Sequence, residues 1–593
     1  CSAPTTRCGN ACVELTSDNQ NCGACGSACS LGKVCSNGSC GFLCAQGTTN
    51  CAGECVTLSD DPSNCGQCGN ACPMGQDCKT GLCVPGCPVG ETRCFTGCVD
   101  LKSDFANCGQ CNNPCAAGEV CKDGVCDTMC AEGLTNCGGA CVDTQNSEKD
   151  CGQCGNSCAP GGLCVAGACV TPSKQLVEIV AGQAHACARY FDGNVKCWGL
   201  NAHGQLGLGD GLDRGDTPDD MGDVLPFVNL GTGRTAKHLA AGRFHTCAIL
   251  DNNTVKCWGR NGFGSLGVGD TSPRGDERDE MGDALFPVLL GTGRTAKAIA
   301  AGGYHTCAIL DDNSVKCWGN NADGQLGLGD TESRGDEAGE MGDGLPSVDL
   351  GANRTAKAIA AGGYHSCALL DDDSLKCWGA NGFGQLGYGD VKGRGDDANE
   401  MGANLGAIDL GANRKAKSLA LGFYFSCAVL DDATLKCWGS NGDGQLGKGN
   451  TSHLGDEAGE MGDKLLALDL GANKTAKAVA AGFYHACAVL NDETLKCWGY
   501  NGFGGLGQGD SLTRGDGPNQ MGDKLLVVDL GTAKLVKSVT LGIYHSCARL
   551  SDDTIKCWGA NDRGQLGLGD TTSRGDKPNQ MGNVLPPLQL MNL

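Results

Sequence analysis

The 593-residue sequence predicts an all-β protein in two parts: an array of small disulfide-rich knots, then a large domain of repeated short strands. Three observations carry this prediction. Residues 1–170 repeat at a period of 43 with eight cysteines per unit, and the following residues repeat seven times at a period of 60. In neither block do apolar residues recur at the helical spacing.

The first block comes first in the chain and is held by its cysteines. Cys1, Cys8, Cys12, Cys22, Cys25, Cys29, Cys35 and Cys40 set a spacing that restarts at Cys44, Cys87 and Cys130 without insertion or deletion. This divides the block into knots at 1–43, 44–86, 87–129 and 130–170. Each has too few apolar residues for a core, so four bridges per knot must hold it. Eight cysteines allow 105 connectivities, and spacing alone does not choose among them. Zinc is the rival reading of the paired CxxC motifs, but no histidine precedes residue 185. The stretch "NCGQCGNACPMGQDCKTGLC" (64–83) and its three copies resemble the stigma-specific Stig1-like family. That resemblance implies a secreted module. Cys1 is the first position of the first knot, and also an N-terminal cysteine of the kind that carries a lipid anchor; a disulfide is the favoured expectation.

The second block begins its repeats with "AGQAHACARYFDGNVKCWGLN" at 181, and further copies begin at 241, 301, 361, 421, 481 and 541. Strand-sized apolar runs between Gly-rich turns at this period read as a β-propeller or solenoid. Within one unit, "AKAIAAG" (296–302), "HTCAIL", "SVKCWG" and "PSVDLG" (346–351) are four expected strands, the number a propeller blade requires. In "HTCAILDDNSVKC" (305–317), placing Cys307 opposite Cys317 puts Ile309 opposite Val315. Asp311–Asn313 are then left as a three-residue turn that wants a left-handed last residue. Opposed residues at a non-hydrogen-bonded position are close enough for a disulfide. The same pairing is expected for Cys187 and Cys197, Cys247 and Cys257, Cys307 and Cys317, Cys367 and Cys377, Cys427 and Cys437, Cys487 and Cys497, and Cys547 and Cys557. "LVEIVAG" (176–182) lacks a preceding "VDLG" segment and "PPLQL" (586–590) lacks a following strand, so the two are expected to complete one shared blade and close the ring.

The stretch "AAGGYHTCAILDDNSVKCWGNNADGQLGLGD" (300–330) resembles an RCC1 repeat, through Gly302, His305, Ala308, Leu310, Trp318, Gly319, Asn321, Gly324, Gln325, Leu326, Gly327 and Gly329. The resemblance runs over 174–593 and implies a seven-bladed RCC1-like propeller. The cysteine pairs and the acidic insert "DTESRGDEAGEMGDGLP" (330–346) depart from the nuclear members and are similar to RCC1-like proteins of bacterial surfaces. The resemblance also implies a rigid binding platform, of the kind used by inhibitors that act through loops on one propeller face.

Composition narrows the function. A formal net charge of −23 argues against nucleic acid as a partner. Forty-six cysteines argue for an oxidising, extracellular or cell-surface location. No apolar run is long enough for a transmembrane helix. His185, His245, His305, His365, His485 and His545 recur before the first strand cysteine, with Phe425 in the remaining repeat, and are expected to be structural. In the inserts, Asp210, Asp216, Asp270, Asp276, Asp330, Asp336, Asp510 and Asp516 are oxygen ligands in Gly-rich loops and make Ca²⁺ the one candidate cofactor. The competing reading is turn chemistry and pairing with Arg334. Six "RGD" triplets, with "LGD" at Leu454, admit a structural arginine as well as an adhesion motif. No catalytic constellation is present, and the expectation is a non-enzymatic binding or structural protein. In it a propeller head stands on a stalk of four knots, roughly 100 Å long if they lie in line. It would bind a protein partner, or itself head to stalk as the subunit of a fibre. A secreted inhibitor is the alternative and a polysaccharide-active enzyme a remoter one, because the blades look too alike to build one specific site.

Overall fold

The computed structural model describes residues 175–591 throughout and, within 4–170, a series of short hairpins and turns. It divides into two compact units, Cys1–Thr171 and Pro172–Leu593.

The first unit is built on three- and four-residue strands in antiparallel hairpins, such as Thr6–Cys8 with Ala11–Val13 and Val34–Ser36 with Ser39–Gly41, and one parallel contact, Cys121 with Ala140, joins the third and fourth knots. Strands this short have almost no side chains to bury, and in the third knot the core is Cys108, Cys115 and Cys121, with Cys126 packed against them. One connectivity accounts for every described bridge. The first cysteine of a knot joins the third (Cys130–Cys141), and the second joins the fifth (Cys8–Cys25, Cys94–Cys111, Cys137–Cys154). The fourth joins the seventh (Cys22–Cys35, Cys65–Cys78, Cys108–Cys121, Cys151–Cys164), and the sixth joins the eighth (Cys29–Cys40, Cys72–Cys83, Cys115–Cys126). Clusters such as Cys22, Cys29 and Cys40 have metal-like spacing, but their sulfurs are already spent in these bridges. Cys1 lies outside the described residues.

The second unit is a ring of seven antiparallel sheets with one chain path. In the third blade an inner strand, Ala296–Ala301, pairs with a middle strand, His305–Leu310, and this with an outer strand, Val315–Gly319. The register sets Cys307 opposite Cys317 with Cα atoms 4.1 Å apart, and the pair is bridged. The hairpin closes through Asp311–Asn313. Asn313 takes the left-handed conformation (φ 65°), and the Asp312 side chain accepts from the Ser314 amide and hydroxyl. All seven blades share this plan, from Leu176–Ala181, His185–Tyr190 and Val195–Gly199 to Val536–Leu541, His545–Leu550 and Ile555–Gly559.

The sheets have three strands, not the expected four. "PSVDLG" forms no strand. It touches the outer strand through one bond, Val348 N–H to Val315 O (2.8 Å), and the far end of that strand makes a single bridge from Gly319 to Arg334. The intervening insert is used between blades instead. Gly335 fits against Gly264 and Gly267 of the preceding blade so closely that a Cβ on Gly264 would lie 2.3 Å from the Asp336 nitrogen. No side chain larger than hydrogen fits there.

Apolar burial lies between blades. Cys307, Ile309, Val315, Val348 and Leu350 of one blade enclose Ala356, Ala368, Leu370 and Trp378 of the next. The same cluster joins the last blade to the first through Cys547, Ile555, Leu588 and Leu590 against Leu176, Ile179, Ala186 and Trp198, so the ring is closed. Closure does not use a shared sheet. Leu176–Ala181 pairs only with its own middle strand, and Leu588 bonds to Ile555 of its own blade. The C-terminal segment instead fills the place held in other blades by the preceding insert. The buried Lys376 ammonium donates to Leu350 O (3.0 Å) and Gly402 O (2.8 Å), and Lys196 donates in the same way to Leu590 O and Gly222 O, both at 2.8 Å. Each ammonium holds two carbonyls that would otherwise be buried without a donor.

A candidate binding face at the mouth of the central channel

The inner strands of all seven blades end around one axis. Each is followed by a three-residue turn and then the recurrent histidine, or Phe425 in the fifth blade, and the last turn residue is aromatic in six blades: Phe244, Tyr304, Tyr364, Tyr424, Tyr484 and Tyr544, with Ala184 in the first. The fold turns this recurrence into a belt. Ring centroids are 5.9 Å apart for Tyr304 and Tyr364, 5.8 Å for Tyr364 and Tyr424, and 5.7 Å for Tyr484 and Tyr544. A second row comes from the loop after each tryptophan: His203 meets Phe244, Phe263 meets Tyr304, Phe383 meets Tyr424 and Phe503 meets Tyr544, at 5.0–5.6 Å. With Phe423, Phe483 and Tyr500, the face gathers twelve of the twenty-one Phe and Tyr side chains in the chain. The tyrosines of the belt are half-buried, so their rings are held by neighbours while their edges reach solvent. Burial raises the hydroxyls of Tyr364, Tyr424 and Tyr544 above the ordinary tyrosine value, so they remain donors.

The position before the aromatic one differs from blade to blade: Gln183, Arg243, Gly303, Gly363, Phe423, Phe483 and Ile543. Five of these residues, Arg243, Gly303, Gly363, Phe423 and Phe483, line a cavity of about 260 Å³ whose other walls are the ends of the seven inner strands, from Ala181 and Gly182 to Thr540 and Leu541. Arg243 donates to Gln183 Oε1 (2.6 Å) and to the Tyr304 hydroxyl (2.5 Å), with its guanidinium 5.0 Å from the Phe244 ring, 5.3 Å from Tyr304 and 5.6 Å from Phe423. Arg260 lies 5.5 Å and 5.7 Å from the Phe244 and Tyr304 rings. The blades are therefore not alike where they meet the axis, which corrects the sequence expectation that no blade differs. The signal was one variable column beside an invariant glycine.

The residues singled out in the sequence lie elsewhere. The histidines are fully buried, and their bonds reach into the next blade. His185 pairs with Thr246, His245 with Thr306, His305 with Ser366, His365 with Ser426 and His485 with Ser546, at 2.9–3.0 Å. Thr306 passes the bond on to Ser265 O, which also accepts from Trp318 Nε1. Two seams lack the hydroxyl. Phe425 faces the blade that carries Ala486. His545 faces the blade that carries Ala186, and neither of its ring nitrogens has a partner. All seven strand pairs, Cys187–Cys197 through Cys547–Cys557, are drawn together as disulfides with Cα atoms 4.0–4.1 Å apart.

Among the described residues, no three carboxylates of the acidic inserts bring their oxygens together at metal-ligating distance. Asp330 accepts from Asn321 Nδ2 and the Glu332 amide, and pairs with Arg334 at 2.7 Å. Asp210, Asp270 and Asp510 repeat this pairing with Arg214, Arg274 and Arg514. Asp336, Asp276 and Asp516 each bury one oxygen that has no hydrogen-bond partner among the described residues, and Asp343 reaches back to Thr292 of the preceding blade. Asp216 likewise belongs to the interblade joint, where the Gly564 of the last blade meets its nitrogen. The carboxylates grouped in the sequence thus serve separate partners, because each insert spans two blades. The RGD triplets are consumed in the same joint: Arg334 is half-buried and ion-paired, and Gly335 is buried.

A closed ring of seven blades, each stapled within its own hairpin, with an aromatic mouth, defines a seven-bladed β-propeller. The chain belongs to the RCC1-like family. The RCC1-like domain matches residues 275–589, and the regulator of chromosome condensation (RCC1) repeat matches 176–205, 236–265 and 192–249. The stigma-specific STIG1-like protein family matches 1–43, 38–85, 84–129 and 123–172. Among curated relatives, the ultraviolet-B receptor UVR8 of Arabidopsis thaliana is 30% identical over 410 residues, 68% of this chain and 81% of that protein. The mitochondrial RCC1 domain-containing protein RUG3 of the same plant is 28% identical, over 52% of this chain and 62% of its own. Among solved structures, human WBSCR16 aligns with a TM-score of 0.47 at 20% identity, over 63% of this chain and 90% of that one. No helix among the described residues is long and apolar enough to cross a membrane.

Proposed function

We propose that this is a secreted or cell-surface, non-enzymatic binding protein. Its propeller takes a partner on the aromatic mouth of the channel, and its four Stig1-like knots serve as a disulfide-stapled spacer. The observation that carries this reading is the concentration of twelve aromatic side chains on one face. Rigid Tyr and Phe rings give large contact area for little lost side-chain freedom, which is why they dominate the centres of interfaces. The oxidising location rests on 46 cysteines and on the absence of a free thiol among the described residues.

The test is binding of labelled full-length protein to the surface of the cells that produce it. Replacing Tyr364, Tyr424 and Tyr484 together by serine is expected to weaken binding at least thirtyfold, equivalent to about 2 kcal/mol, with the melting curve preserved. Unchanged binding would reject the mouth as the site. Electron microscopy of the same preparation distinguishes the fibre-subunit form of the proposal from a dispersed binder. The inhibitor form predicts loss of a target enzyme's activity on addition of the intact propeller.

A further inference from the structure

Charge at the mouth is distributed in a way that the rest of the propeller is not. Thirteen of its sixteen arginines sit in ion pairs, including Arg563, which reaches Asp213 and Asp562 from the second row of this same face. Of the other three, Arg278 is exposed on an insert, and Arg243 and Arg260 at the mouth have no carboxylate partner among the described residues, although the chain carries 68 Asp and Glu and a net charge of −23. Both guanidiniums instead lie over Phe244 and Tyr304. Gln183 and the Tyr304 hydroxyl fix the orientation of Arg243, leaving the fork with donors unspent. A planar guanidinium held in one orientation and left without a counter-ion is matched to a carboxylate.

The surroundings say what the carboxylate is attached to. Half-buried rings surround the opening, and their faces attract the C–H bonds on the face of a saturated ring by dispersion and by their quadrupole. Among the described residues, Tyr304 is the one belt tyrosine of five whose hydroxyl is engaged. Asp323 and Asp443 stand in the second row, at the positions held by Phe263 and Phe383 in other blades, and offer acceptors to hydroxyl groups. Arg243, Phe423 and Phe483 line the cavity of about 260 Å³ at the axis, which has room for a single ring and not for a folded segment of protein. A polyanion is disfavoured by the overall charge, which repels it on approach.

We propose that the mouth of the channel is a saccharide site for an isolated acidic sugar. Arg243 and Arg260 bind the carboxylate, Phe244 and the tyrosine belt stack on the sugar faces, and Asp323 and Asp443 accept from hydroxyls of the neutral neighbours. This rests on the proposed binding role of the same face and names its ligand class.

The test uses the full chain and calorimetric titration with xylotetraose bearing one glucuronate, against unsubstituted xylotetraose. The acidic oligosaccharide is expected to bind at least tenfold more tightly, with an affinity that falls as salt is raised. The R243A/R260A double variant is expected to bind both sugars equally and weakly, at an unchanged melting temperature. R260A alone, whose side chain makes no hydrogen bond that the fold needs, provides the same comparison if the double variant is unstable. Equal binding of the two sugars by the native protein, or no effect of the arginine variants, would overturn the proposal. So would a singly charged tyrosine peptide that binds where the acidic sugar does not. Loss of cell-surface binding in the tyrosine-to-serine variant, together with absence of saccharide binding, would remove the ligand class and leave the binding face standing.

Discussion

Asp330 and Arg334 show how one repeat explains another. In six inserts an aspartate and an arginine four residues apart form an ion pair; in the fifth, both change together, to Asn450 and Leu454. Arg334→Leu alone leaves the half-buried Asp330 without its cation and should cost about 1 kcal/mol, a value discounted because Asp330 is partly solvated. Adding Asp330→Asn should restore most of it, as measured by urea unfolding of the two variants. Because these carboxylates are already engaged, EDTA should leave the melting temperature unchanged, and a fall of several degrees would restore the calcium reading. The histidines set the acid limit. Burial lowers His185, His305, His365 and His545 to about 3, and His245 and His485 to about 4. The folded state thus stays neutral where the unfolded chain, titrating near 6.5, takes up protons. Their contribution is complete above pH 6.5 and is lost as pH falls toward 4. Burial raises the carboxyls of Asp336 and Asp396, which act in the opposite sense. The melting temperature should decline steadily from pH 6.5 to 4, and less steeply in His485→Phe/Ser546→Ala, which copies the Phe425 and Ala486 seam. An unchanged slope would exclude this histidine as a contributor.

At the scale of strands and hairpins, the sequence was legible wherever the determinant was local. The ten-residue spacing of Cys307 and Cys317, with Asn313 at the left-handed place, specifies a hairpin without reference to anything else. Non-reducing peptide mapping should recover all seven pairs from Cys187–Cys197 to Cys547–Cys557. It should also recover the one-to-three, two-to-five, four-to-seven, six-to-eight pattern in every knot, with no bridge between the two units. Replacing Cys307 and Cys317 together by alanine should lower propeller stability by about 2–3 kcal/mol, the effect of closing so short a loop. What depended on a neighbouring blade was not legible. "PSVDLG" alternates like a strand, yet only Val348 bonds to the sheet, because Leu350 and Lys376 draw the chain toward the next blade. The aromatic belt was hidden for the same reason: Tyr304 and Tyr364 are sixty residues apart and meet only when the circle is drawn.

For the molecule as a whole, stability hinges on the seam between the last blade and the first. Ending the chain at Val584 removes Leu588 and Leu590 from the shared cluster and one of the two carbonyls from the Lys196 ammonium. The ring should then open at that seam, exposing a hydrophobic cluster and not, as strand pairing would have implied, two bare sheet edges. Light scattering should show association and the melting temperature should fall clearly, whereas removing the array up to Pro172 should do neither. A truncated protein that melts like the full chain and stays monomeric would mean that another segment closes the ring. The seams have a further consequence. A chain of seven near-copies runs the risk that any blade docks beside any other, within one molecule or between two. Five junctions here share one hydroxyl-and-imidazole fitting and cannot tell their neighbours apart. Phe425 against Ala486 is a fitting of a different shape, and His545 against Ala186 is a loose one at the point where the ends meet. These two irregular junctions act as registration marks, telling an otherwise repetitive chain where in the circle it is and which gap must be left for last.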